Sequence, residues 1–164
     1  MQAGDATTYA HLVEFEERAA SLYLNFARRF KDNKDLSLFW LQMSMEERQH
    51  ALLLEFCGCE QLVAVGLPDS KRVQTLAKVL SNLEERAGRK HLSVDDAFLI
   101  AGELEGSEIS DVYAGVIKPI QGTSYVMRKK VAALKPDHMQ ALLKAAHKFG
   151  VSADVVSKMV EVLS

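Results

Sequence analysis

The stretch WLQMSMEERQHALLL, residues 40–54, decides how the chain must fold. On a helix, residues three, four and seven apart share a side. Trp40, Met43, Glu47, His50 and Leu54 then form one apolar stripe, while Glu46 joins Gln42 and Gln49 on the outer face. A carboxylate in the interior is costly unless something compensates it. Glu47 and His50 therefore need a proton, a cationic partner or a metal ion.

The same reading extends in both directions. Residues 7–30 predict a first helix with Leu12, Phe15, Ala19, Leu22, Phe26 and Phe30 on one face. Glu16 falls inside, between Leu12, Phe15, Ala19 and Tyr23; Glu14 lines up with Arg18, Ser21 and Asn25 outside. A polar turn at 32–34 leads to a second helix over 36–65, which Gly66 and Pro68 end. Val73, Leu76, Leu80 and Leu83 mark a shorter amphipathic helix within a connection over 66–93. Ser93, with Asp95 and Asp96 behind it, is the N-cap of a third helix running to residue 117. A fourth helix over 123–149 is interrupted near Pro136 and capped by Gly150, and a terminal helix covers 152–163.

Strand-like alternation is hard to find, so the fold class is all-α. The 164 residues make a single domain with a substantial core. Two antiparallel helical hairpins (four-helix portion 7–149) are joined by a long crossover, with a short C-terminal helix after them.

In the third helix, Glu105 and Glu108 share a stripe with Ala101, Val112 and Val116; in the fourth, His138 belongs with Val131, Leu134, Leu142 and Phe149. Four glutamates and two histidines thus sit on core-facing stripes of four helices. There is also a repeat: Glu16, Tyr23 and His50 in the first hairpin correspond in spacing to Glu105, Tyr113 and His138 in the second. Facing hairpins of this kind build a nearly symmetric pair of metal positions. The alternative is that the carboxylates are neutralised without metal.

Composition excludes some partners. Twenty Lys+Arg against 22 Asp+Glu, with no basic block, argue against nucleic acid. No apolar run is long enough for a membrane span and the first residues lack a signal-peptide layout, so a cytoplasmic location is expected. Cys57 and Cys59 read as two reduced thiols, with redox reactivity as the alternative.

The segments EERAASLY (16–23), EERQHA (46–51) and AGELEGSEISDVY (101–113) resemble the rubrerythrin branch of the ferritin-like di-iron carboxylate proteins. That family takes one glutamate from each of two helices and a Glu-x-x-His pair from each of the others. The resemblance implies Glu16 and Glu105 as single glutamate ligands, Glu47 and His50 as the first pair, Glu108 as an extra carboxylate and His138 as the second histidine. Tyr23 and Tyr113 would hydrogen-bond ligand carboxylates from behind. It further implies iron, most naturally as a di-iron centre, with manganese or zinc as alternatives. The reaction implied is with peroxide or dioxygen, in oxidative-stress or iron handling, and a homodimer is the implied assembly. The cysteine-rich iron module of rubrerythrins is absent, so electrons would come from an external donor.

One position departs from the pattern. The glutamate of the second Glu-x-x-His pair should fall at 135, where the chain has Lys135, followed by Pro136. An ammonium cannot bind a cation unless deprotonated. Either Lys135 turns outward and leaves an altered metal site, or it pairs with glutamates in place of metal in a redox-inactive helical binding or assembly protein.

Overall fold

The computed structural model describes residues 3–59, 67–107 and 138–161, and all their regular structure is helical. Helix α1 (Ala3–Arg29) ends in a turn over 30–33, and α2 (Lys34–Cys59) begins where the Asn33 side chain accepts from the Leu36 N–H at 3.1 Å. The turn is too short for anything but an antiparallel return. Ser37 Oγ donates to the Ala27 carbonyl at 2.8 Å and Ser44 Oγ to that of Ala20 at 2.7 Å, so α2 climbs as α1 descends. Of the expected second helix over 36–65, the last residues, 60–65, lie outside the described part.

Helix α3 (Ser70–Ala87) is the amphipathic segment of the crossover, capped by Asp69, whose carboxylate accepts from the Arg72 N–H at 2.8 Å. It buries Val73, Leu76, Leu80 and Leu83, as their spacing predicts, and Ala87 as well. Arg18 donates to both oxygens of Glu84 at 2.8 and 2.7 Å and to Ser81 at 2.9 Å. The residue placed outside with Glu14 therefore fastens α1 to the crossover. Arg86 makes a similar two-pronged bond to Glu103 of the next helix.

Helix α4 (Val94–Glu105) starts in a capping box: Ser93 Oγ accepts from the Asp96 N–H at 3.0 Å, and Asp96 accepts from the Ser93 N–H at 2.9 Å. It is much shorter than the expected run to 117. Gly106 gives little helical support, and Ser107 Oγ donates back to the Leu104 carbonyl at 2.6 Å, occupying the helix end. Residues 108–137, which include Glu108, Tyr113, Lys135 and Pro136, lie outside the described residues.

Helix α5 (His138–Lys148) closes at Gly150, whose φ of 70° only glycine adopts freely, while the Val151 N–H reaches the Ala146 carbonyl at 3.0 Å. Helix α6 (Ala153–Glu161) then lies against α4. The Ser152 N–H donates to Asp95 at 3.2 Å, and Met159 packs where α4 has Gly102. A Cβ on Gly102 would meet Met159 Cγ at 2.7 Å. Gly102→Val is expected to cost about 2 kcal/mol through overpacking, measured by urea unfolding, with Met159→Ala recovering part of the loss.

The α1–α2 hairpin meets α4 and α5 over one aromatic cluster. Trp40, fully buried, stacks on Tyr23 at 5.7 Å and has Phe26, Phe39 and Phe98 around it at 5.1, 4.9 and 4.8 Å. Phe149 closes the far side against Phe98 and Phe39. With Phe149 near Phe98 and His138 near Glu105, α5 runs antiparallel to α4. Among the described residues no helix is long and apolar enough to cross a membrane.

Candidate metal centre

Beyond the aromatic cluster, the buried stripes of α1 and α2 turn polar. Glu16 from α1 and Glu47 and His50 from α2 are all buried. Glu105 lies at the end of α4 and His138 is the first described residue of α5, and these two approach the first three from the opposite side. Two triads result, Glu16–Glu47–His50 and Glu47–Glu105–His138, each with its ligand atoms within 4.8 Å of one another.

Glu47 belongs to both. Its Oε2 lies 2.9 Å from His50 Nδ1, and its Oε1 lies 3.1 Å from His138 Nδ1. Glu16 Oε2 is 3.7 Å from His50 Nδ1, a charge contact beyond hydrogen-bond range, while Glu105 Oε2 is 3.2 Å from His138 Nδ1. The imidazoles stack with centroids 5.2 Å apart. Tyr23 reaches from α1 to α4, its hydroxyl donating to Glu105 Oε1 at 2.5 Å.

Burial and charge hold these groups in unusual protonation states. Burial pushes the Glu16 carboxyl up to about 8. Glu105 rises too, through burial and then the charge on Glu47. For Glu47, burial is outweighed by the bonds from His138 and His50, which hold it well below the usual carboxylate range. Burial would likewise lower both imidazoles, but their carboxylate neighbours win: His50 is held at about 9 and His138 at about 12. In the metal-free protein at neutral pH, two imidazolium cations therefore supply the positive charge around the carboxylates.

Of the sequence-predicted residues, the structure brings together Glu16, Glu47, His50, Glu105, His138 and Tyr23. Glu108, Tyr113 and Lys135 fall outside the described residues. The assignment of Glu46 to the outer face needs correction: its Oε2 lies 3.1 Å from His138 Nε2, and the other oxygen accepts from Gln42 at 2.9 Å. His138 lowers its pKa. The Glu46 side chain is long enough to reach from the edge of the stripe to the imidazole.

The donor set suits a metal. Carboxylate and imidazole are natural ligands for iron, manganese and zinc. Buried His138 Nε2 has Glu46 Oε2 3.1 Å away as a charge partner, at an angle short of a formed hydrogen bond. Loss of the Nδ1 proton to a metal would leave an Nε2–H beside a carboxylate, the usual support for a ligating histidine. Glu16, Glu46, Glu47 and Glu105 together carry the charge needed to balance two divalent ions. No family model, curated protein or solved structure matches the chain, so the reading of this site rests on its geometry.

Proposed function

We propose that the protein is a dinuclear metal protein of the rubrerythrin-like, ferritin-like kind, with iron as the resident metal. The single observation that carries this is the division of Glu47, one oxygen to each histidine, in the manner of a carboxylate shared by adjacent ions. Glu16 and His50 would complete the hold on one ion, Glu105 and His138 on the other. Three donors apiece leave positions for a small molecule, and bound iron would supply electrons for the reduction of peroxide or dioxygen. Tyr23 keeps Glu105 turned toward the imidazoles, and the aromatic cluster behind it excludes water. An external donor would restore the electrons.

A metal-free scaffold is the second reading, favoured by the way His50 and His138 already neutralise the buried carboxylates as imidazolium ions. Protein produced in iron-rich medium distinguishes the two. The metal centre predicts close to two ions per chain, peroxide consumption after reduction, and a lower Tm once a chelator has removed the metal. Protein that stays metal-free after anaerobic iron(II) addition, with a Tm indifferent to chelator, would leave the scaffold.

A further inference from the structure

Of the buried side chains described, Trp40 and Tyr23 are the most easily oxidised by one electron, and they are in contact. Both are 0 % exposed, and their rings stack with centroids 5.7 Å apart and planes within 15° of each other. The phenyl rings of Phe26, Phe39 and Phe98 that enclose the indole are far harder to oxidise. The two stacked rings differ in what can become of their protons. Tyr23 donates its hydroxyl hydrogen to Glu105 Oε1 at 2.5 Å, so a buried carboxylate stands in place to take it. Trp40 Nε1, a donor only, finds no acceptor among the described residues. An indole that loses an electron here must keep its proton and carry its positive charge in a dry interior, which is costly.

We propose that Trp40 and Tyr23 form a one-electron relay, in which oxidation of the indole moves to the Tyr23 phenol and the phenol's proton moves to Glu105. A one-electron oxidant first takes an electron from the Trp40 ring and leaves an indole radical cation. Tyr23 then returns one electron to the indole across the stack as its O–H bond breaks, and the proton forms a new O–H bond on Glu105 Oε1. The products are neutral Trp40, a neutral Tyr23 phenoxyl radical and a protonated Glu105. The positive charge of the indole and the negative charge of the carboxylate disappear together, which a dry interior favours. That cancellation sets the direction, from Trp40 to Tyr23. The oxidised phenol ends one hydrogen bond from a ligand of the proposed centre. Its re-reduction from that side is the use the relay has, and only this clause rests on the metal function proposed above; the relay itself stands on the stack and the hydrogen bond.

Laser flash photolysis of the metal-free full chain tests it, with light that indole absorbs and phenol does not, in air-saturated buffer where oxygen takes up the ejected electron. The absorption of the indole radical cation is expected to decay as phenoxyl absorption rises, at one shared rate that dilution leaves unchanged. In heavy water that rate should fall, because the proton moves with the electron; this readout needs no variant. Tyr23→Phe keeps the stacked ring and removes the hydroxyl, so the phenoxyl signal should be lost and the indole radical should persist. Glu105→Gln accepts the hydrogen bond but takes no proton, and its indole radical should also outlive that of the unaltered chain. Near-ultraviolet circular dichroism shows whether each variant keeps the aromatic cluster. No phenoxyl signal in the unaltered chain, one that survives Tyr23→Phe, or a transfer rate indifferent to both heavy water and Glu105→Gln overturns the proposal. Metal is absent throughout, so failure here leaves the metal centre standing, and a chain that binds no iron can still show the relay.

Discussion

Replacing Glu47 with glutamine is expected to take the protein from two bound ions per chain to none. Glutamine keeps the shape of the side chain but removes the charge and one of the two ligating oxygens. Because Glu47 Oε2 faces His50 and Oε1 faces His138, one position loses its oxygen and the other keeps only a neutral amide oxygen, so both are weakened at once. Affinity at each should fall at least about a hundredfold, since even groups behind the ligands account for losses of ten- to a hundredfold. Glu16→Gln and Glu105→Gln should each spare the position they do not touch. Anaerobic iron(II) titration followed by metal analysis checks the series. One ion retained by Glu47→Gln would mean that the carboxylate serves a single position.

The second large effect is on pH dependence. Metal ligands must be deprotonated, so binding releases whatever protons the metal-free site holds. At neutral pH those are about three: one on Glu16, with its carboxyl raised to about 8, and one on each of His50 and His138, held at about 9 and about 12. Apparent affinity between pH 6 and 7 should therefore climb steeply, approaching about a thousandfold per pH unit for the pair of ions. Proton release into weak buffer gives the same count. Release of less than one proton would contradict the protonation states described.

Linkage fixes the sign of the metal-free protein's own stability. The imidazoles are raised above their ordinary 6.5, so their stabilisation is complete below that value and drains away as pH rises toward 9 and beyond. Glu16, raised from 4.5 to about 8, adds a loss over that interval. Glu47, depressed, contributes above 4.5 and loses its contribution as pH falls. Metal-free protein should accordingly be most stable in mildly acidic solution and melt earlier at pH 9, and bound metal should remove that alkaline weakness.

Much of the site was legible because burial follows helical period. Glu16, Glu47, His50, Glu105 and His138 all sit where apolar neighbours three, four and seven residues away placed them. Glu46 escaped because it lies about 100° around the helix from Glu47, in a column with Gln42 and Gln49. Periodicity assigns a direction to a Cα, whereas a glutamate at the edge of a stripe can reach either way, and Glu46 does both, toward His138 and Gln42. Arg18 was misplaced for a related reason: the α1 face that looks outward in a two-helix pairing is covered by the crossover helix. The extent of α4 was overread because continuing apolar spacing outvoted Gly106 and Ser107, whose local chemistry ends the helix.

Trp40 is the chain's single tryptophan. Its indole lies flat against Tyr23, whose hydroxyl grips a ligand of the proposed centre. One intrinsic chromophore is thus wired to both the packing of α4 on the α1–α2 hairpin and the polar heart of the molecule. Ultraviolet emission from the unlabelled protein can therefore follow unfolding and metal loading with the same probe.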